Sequence, residues 1–408
     1  MEVGQRGISV RALGGSRAGE MRLTRFLRNP KVSAQAIFAE AGRGVCERVR
    51  GLHVLAIQDT TSLRDDGSGK SLNAHPVIAA CAETGALLGL AHGELLDHAG
   101  GLAASRKARP IEDKESRRWL GGAEAGARLL AAGAARVTVI SDREGDLYEA
   151  FALRPEGVDL LVRANHDRTT LDHGKLFAAL ADAKETRFTL DLPAAPGRAA
   201  RTGRFALRFG NVSIKRPDNV PNDLAKGLDL TLVEAREVDP PPGQPAAHWR
   251  LLTTHRTADA AAARFIVGLY RKRWLIEELF RILKTRGFDI ERVSIEDAPF
   301  EVLAAAALVA AVCVLQLVQD RDGKGKRPIG DVFEADEQSA LEAVCARLEG
   351  KTQRQKNPHP KGSLAYAAWV CARLGGWTGY YGKPGPLVML RGLHQFRAIQ
   401  LGWSLQNV

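Results

Sequence analysis

Residues Tyr270 to Arg286 read YRKRWLIEELFRILKTR. The stretch holds neither Pro nor Gly and is rich in good helix formers, which predicts one continuous helix. At roughly 100° per residue, with Tyr270 at zero, Arg273 falls near ~300°, Glu277 near ~340° and Lys284 near ~320°. These four share a narrow stripe, flanked by Trp274 and Arg281. Leu275, Ile276, Leu279, Ile282 and Leu283 take the opposite side. The pattern is that of an amphipathic helix docked by its apolar face. Its outer face gathers aromatics and cations around one carboxylate, Glu277, which suits a polyanion. On geometry alone, a solvated face with an i,i+4 pair Glu277–Arg281 accounts for the same residues.

The spacing Tyr270-x-x-Arg273-x-x-x-Glu277, with Lys284 beyond it, resembles the signature of bacterial cut-and-paste DDE transposases of the insertion-sequence-four (IS-four) family. Members of that family also need two earlier aspartates, each at a strand end. Upstream, His53 to Ile57 (HVLAI) reads as a buried central strand running into Gln58-Asp59-Thr60-Thr61. An Asp there points into the crevice where α/β sheets place their chemistry. A turn or helix-cap role explains it as well. Val77–Ala82 and Ala86–His92 read as strands joined at Glu83-Thr84-Gly85, forming an antiparallel meander with the first. Pro110 to Ala132 reads as a helix with acids before bases, in keeping with the helix dipole. Arg136 to Ile140 is the next strand, followed by Asp142-Arg143-Glu144-Gly145-Asp146 and a helix from Leu147. Asp142 is again a strand-end aspartate, and again a helix cap is the alternative. Val158 to Arg163 is the fifth strand. Three strands, helix, strand, helix, strand is an order that resembles the ribonuclease-H-like core of DDE transposases.

From about Glu185 to Arg256 the pattern turns to alternating β segments separated by loops such as Asp239-Pro240-Pro241-Pro242-Gly243, and we read a β-rich insertion. The resembled family has an insertion here. Trp249 stands where that family places a tryptophan that stacks on a base flipped from the duplex; a core aromatic in a strand is the other reading.

At 408 residues, 45% of them hydrophobic, the chain has room for two or three globular domains. Its net charge of +11 favours an anionic partner without separating DNA from RNA or membrane. Cys46, Cys81, Cys313, Cys345 and Cys371 are scattered, which predicts reduced thiols and no zinc site. Val302 to Gln319 is long and uncharged but Ala-rich, as in a buried helix rather than a membrane span. Residues 1–20 read as unstructured, with no signal peptide, and Met21 to Phe38 as helical and basic. Met1 to Arg50 carries ten Lys/Arg against four Glu.

The resemblance implies a mixed α/β, ribonuclease-H-like fold with a helical C-terminal region. It implies a partial DNA-binding segment at 1–50, a catalytic domain at 51–295 with its insertion at about 185–256, and a dimerisation region at 296–408. Asp59, Asp142 and Glu277 would be the catalytic carboxylates holding Mg²⁺ or Mn²⁺. Tyr270, Arg273, Lys284, Trp249, Arg163 and Trp274 would contact DNA. The implied partners are double-stranded DNA, as transposon ends and target, and a second copy of the chain; no membrane is involved, and the setting is the bacterial cytoplasm beside the nucleoid. The activity would be cutting at transposon ends through hairpin intermediates and joining to target DNA. A short N-terminus also admits a non-cleaving partner that inhibits a full-length enzyme by heterodimerisation.

Overall fold

The computed structural model describes residues 10–65, 71–98, 115–193, 199–293, 297–380 and 382–406. In chain order its elements begin with α1 (Val10–Gly14), α2 (Arg17–Leu27), α3 (Ala34–Cys46), β1 (His53–Gln58), β2 (Thr61–Asp65), β3 (Ser71–Cys81) and β4 (Leu87–His98). Then come α4 (Arg118–Ala131), β5 (Arg136–Ser141), α5 (Tyr148–Ala152), β6 (Val158–Arg163), β7 (Thr186–Leu192), β8 (Arg201–Lys215), β9 (Gly227–Val238) and β10 (His248–Thr253). The chain finishes with α6 (Ala260–Arg271), α7 (Trp274–Lys284), α8 (Asp297–Asp320), α9 (Glu337–Leu348), α10 (Leu364–Leu374) and α11 (Pro386–Gln406). These form two compact units. A strand-rich unit comprises Gly51–Asp59 and the described parts of Gly101–Trp274. A helix-rich unit comprises the described parts of Met1–Arg50, Thr60–Gly100 and Leu275–Val408.

In the strand-rich unit β1 pairs parallel with β5, from His53↔Arg136 to Ile57↔Ile140, and β5 pairs parallel with β6. Their apolar runs are buried almost throughout, as parallel strands covered by helices require. Trp119, Ala123, Ala125 and Leu129 bury the inner face of α4. Gly126 lets that helix approach closely: a Cβ there would lie 3.1 Å from Val158 Cγ1. β10 pairs antiparallel with β6, and β9, β8 and β7 follow antiparallel in turn. The β-rich stretch therefore prolongs the same mixed sheet. Within it β8 runs unbroken through Gly210, because β9 pairs with it continuously from Arg204 to Lys215.

A part-buried polar chain links β1, β5 and His255, two residues past the end of β10. His53 Nε2 and His255 Nε2 stand 2.9 and 2.8 Å from the hydroxyl of Thr138. Burial, reinforced by the Arg136 charge, pushes His53 down to about 4. Burial, only partly offset by Asp159, pushes His255 down to about 4 as well. Both are neutral in the fold at pH 7, whereas unfolded His titrates near ~6.5. Between those values the unfolded chain binds more protons, so stability is lost as pH falls from about 6.5 through about 4. His255 alone is worth on the order of 3 kcal/mol over that window. Urea midpoints measured from pH 7 to pH 4 should fall, and His255→Gln should flatten the fall.

In the helix-rich unit β2 and β4 both pair antiparallel with β3. β2 goes beyond the expected strands, and β3 and β4 extend past the expected ends. Pro299–Asp320 is long and apolar enough to cross a membrane, but 67% of that window is buried in the chain. α8, which contains it, packs against α2, α3, α10, α11 and β4. The N-terminal region also differs from expectation. Residues 1–9 lie outside the described residues, but α1 starts at Val10 and α2 at Arg17. Ser16 caps α2 by accepting from Gly19 N–H.

The expected helix over 270–286 is two helices. Lys272 and Arg273 form a turn between α6 and α7. Lys272 N–H donates to Leu269 O at 3.0 Å and Arg273 N–H to Tyr270 O at 2.9 Å, the three-residue spacing of a tightened helix end. Packing overrides propensity here. Tyr270, expected on an outer polar stripe, is 5% exposed. Ile276, Leu279, Ile282 and Leu283 are buried as the apolar face of α7 predicts.

Candidate active site

The register of β1 and β5 decides where the first two acids stand. Ile57 pairs with Ile140, so two residues further on Asp59 and Asp142 leave the sheet side by side. Neighbouring strands lie roughly 4.8 Å apart, and Asp59 and Asp142 are each the first residue past the end of one of them. Both sit at the carboxyl ends of parallel strands, the edge where open α/β sheets collect ligands.

Each aspartate is held from behind. Gln58, buried just before Asp59, donates from Nε2 to Trp119 O at 3.1 Å. A Cβ at Gly122 would collide with the Gln58 carboxamide, so glycine lets α4 close over this strand end. A Cβ at Gly145 would likewise collide with Ser141 Oγ, directly before Asp142. Asp142 Oδ1 accepts from Glu144 N–H at 2.9 Å and caps a short 3-10 turn over Arg143–Gly145. The cap and the strand-end carboxylate are thus both present in Asp142.

Cations surround the pair. Arg273 Nη1 lies 3.0 Å from Asp59 Oδ2, with both side chains largely shielded. Tyr270 forms side-chain hydrogen bonds with Arg163 and Arg273. Burial raises the Tyr270 phenol above its usual range, the Arg273 and Arg163 charges draw it down, and Asp142 adds to the rise. Arg163, at the end of β6, donates to His248 O at 2.9 Å. Burial lowers its pKa, Tyr270 opposes the fall, and the Arg143 and Arg273 charges add to it. Arg143 follows Asp142 directly in the Asp142-Arg143-Glu144 pattern of the sequence.

Asp59, Asp142, Arg163, Tyr270 and Arg273 thus gather at one edge of the strand-rich unit. Trp249 is in the same unit, half-buried on β10, with one face stacked on Phe205 at 5.5 Å between centroids and 7° between planes. Trp274 is half-buried at the start of α7. Glu277 and Lys284 belong to the helix-rich unit, Glu277 in the first turn of α7. Lys284 Nζ there pairs with Glu291 Oε1 at 2.7 Å.

A second feature was not visible in the sequence. Asp146 is fully buried, and Arg168 donates to its Oδ1 from Nη2 at 2.8 Å. Asp146 Oδ2 accepts from the N–H groups of Asn165 at 2.8 Å and His166 at 3.1 Å. This network ties the segment after Asp142 to the loop after β6, which directly follows Arg163.

Among the described residues, no group of three or more His, Cys, Asp or Glu side chains stands ready to hold a metal. The strand-end pair supplies hard carboxylate oxygens and no soft ligand, a donor set suited to Mg²⁺ or Mn²⁺ once further oxygens join it.

The mixed sheet, its covering helices and the helical C-terminal region make this a mixed α/β protein of the ribonuclease-H-like class. Residues 146–314 match the family described as transposase DDE domain, a match that supports a DDE transposase. The matched segment includes Arg163, Trp249, Tyr270, Arg273, Glu277 and Lys284, and begins four residues after Asp142. DDE transposase domains use divalent metal ions and act on DNA.

Proposed function

We propose that this protein cuts DNA at transposon ends, closes the ends as hairpins and joins them to target DNA. The observation that carries the reading is the in-register emergence of Asp59 and Asp142 from adjacent parallel strands. Asp59, Asp142 and Glu277 would hold Mg²⁺ or Mn²⁺. Bound there, divalent ions supply water activation and charge neutralisation at the scissile phosphate.

The chain's own residues do the rest. Arg273 offsets the Asp59 charge in the absence of other cations, relieving the repulsion between paired carboxylates. Its planar fork, like that of Arg163, suits bidentate contact with a phosphate. Tyr270 is protonated at neutral pH, as any tyrosine is, and burial only raises its pKa further, so it remains a hydrogen-bond donor. Lys284 and Trp274 would add contacts along the DNA from α7. The cations of 1–50 would position DNA through its phosphates. Residues 296–408 would bring two copies together on paired ends.

Trp249 has one face on Phe205, and its other face would receive a flipped base. Base–aromatic stacking is worth ~1–3 kcal/mol. Trp249→Ala should therefore spare the first nick and lower hairpin yield by roughly ten- to a hundredfold, scored on denaturing gels. An equal loss at the nicking step would mark Trp249 as a packing residue only.

The direct test is incubation of the purified chain with Mg²⁺ and duplexes ending in the element's own terminal repeats. The expected products are nicked ends, then hairpins, then joined strands. A chain that binds these ends without cutting, and that suppresses a full-length enzyme, is the inhibitory partner instead. Equal cutting of any duplex would make it a general nuclease.

A further inference from the structure

The helix-rich unit has its own concentration of cations. Arg321, Lys324, Lys326 and Arg327 follow α8, and Lys351, Arg354, Lys356 and Lys361 lie between α9 and α10. Where the two loops meet the segment after α10 there is a cavity of about 240 Å³. Its wall includes Arg321, Arg354, Lys356 and His359, with Trp369 and Trp377, and among the described residues no carboxylate lines it.

The cavity is scaffolded from several sides. Gly323, at φ 72°, lets the first loop press on the second: a Cβ there would lie 3.1 Å from His359 Nδ1. Asn357 Nδ2 donates to Tyr366 O at 3.1 Å, tying the second loop to α10. A capping box between Thr352 and Gln355 holds the turn that carries Arg354. Trp377 Nε1 donates to Gly382 O at 3.1 Å, and Arg373 Nη1 donates to Trp377 O at 3.3 Å.

Nearby cations have acidic partners: Lys383 pairs with Asp322 at 3.2 Å and Lys361 with Glu342 at 2.7 Å. Among the described residues, Arg321, Arg354 and Lys356 have none. Three uncompensated charges from two separate loops converge on a hollow walled by indoles. Cations beside aromatic surface, without acids, match a nucleic-acid strand better than a small inorganic anion.

We propose that this cavity seats the phosphodiester backbone of DNA without regard to sequence, a second DNA contact that rests on the DNA-processing reading above. Phosphate contacts of this kind position a duplex but carry no base information. Each contact contributes about 0.9 to the slope of log affinity against log salt.

The test uses the full chain and a labelled random-sequence duplex, with affinity read by fluorescence anisotropy over a salt series. Replacing Arg321, Arg354 and Lys356 together by Ala should lower the slope by about 2–3. Affinity at moderate salt should fall roughly tenfold or more, in line with that slope. Changing the two arginines to Lys, with Lys356 kept, retains the charges and should restore most of the slope, which separates lost contacts from misfolding. Arg347→Ala, an exposed cation of α9 outside the cavity, should leave the slope unchanged. An unaltered slope in the triple variant, or an equal fall in Arg347→Ala, overturns the proposal. Nicking of terminal-repeat DNA is scored separately. Cutting with an unaltered slope would sink the cavity and leave the transposase reading standing, and the reverse outcome would do the opposite.

Discussion

Asp59→Ala, Asp142→Ala and Glu277→Ala should each abolish Mg²⁺-dependent strand cleavage while DNA binding survives or tightens. Losing one carboxylate removes several kcal/mol of metal-borne transition-state stabilisation, roughly a thousandfold or more in rate. Binding survives because a carboxylate repels phosphate. Two of the three positions need a structural control. Asp59 also holds Arg273, so Asp59→Asn, which keeps side-chain volume, should be as inactive as the alanine variant. Asp142 also caps the turn over Arg143–Gly145 through Glu144 N–H. Serine caps as well as aspartate but offers no carboxylate. Asp142→Ser should therefore fold normally and fail to cut. Single-turnover nicking assays on folded variants decide each case, and cutting at the wild-type rate in any one removes that residue from the site.

Asp146→Ala should be the most destabilising single change near the site. It would leave Arg168, whose side chain is 9% exposed, as a shielded charge without its partner, and strip an acceptor from Asn165 and His166 N–H. Removing one member of a buried ion pair costs about 3–5 kcal/mol. Asp146→Asn keeps an acceptor for the backbone and should cost less. Urea midpoints of the two variants measure the difference. If both match the wild type, the network does not hold the loop after β6. Arg163 ends β6 directly before that loop, so the alanine variant should also lose cleavage at temperatures where it remains folded.

Much of the fold is legible in the sequence because the parallel strands have a simple signature. HVLAI, RVTVI and VDLLVR are short apolar runs ending in polar residues, and β1, β5 and β6 lie where those runs lie. Asp59 and Asp142 are visible as strand-end acids, yet their pairing is not, since register depends on which strands become neighbours. The helix at 270–286 misleads for the opposite reason. Its local propensity is uniformly high, and the turn at Lys272-Arg273 follows from tertiary packing around Tyr270 that no periodicity reports. β8 runs straight through Gly210, a weak strand former, because the ladder to β9 continues past it, and that pairing is not visible in the local pattern. The Asp146–Arg168 pair joins residues 22 apart whose roles depend entirely on burial.

On the proposed function, Asp59, Asp142 and Glu277 would hold the same metal. The most direct measurement replaces Mg²⁺ by Fe²⁺ and adds ascorbate and peroxide, so that hydroxyl radicals cut the polypeptide next to the bound ion. Fragments are then mapped by mass spectrometry, with and without DNA. The expected result is three clusters of cuts, around 59, 142 and 277, all suppressed by excess Mg²⁺. Cuts at 59 and 142 without any near 277, or cuts confined to other segments, would contradict the shared site.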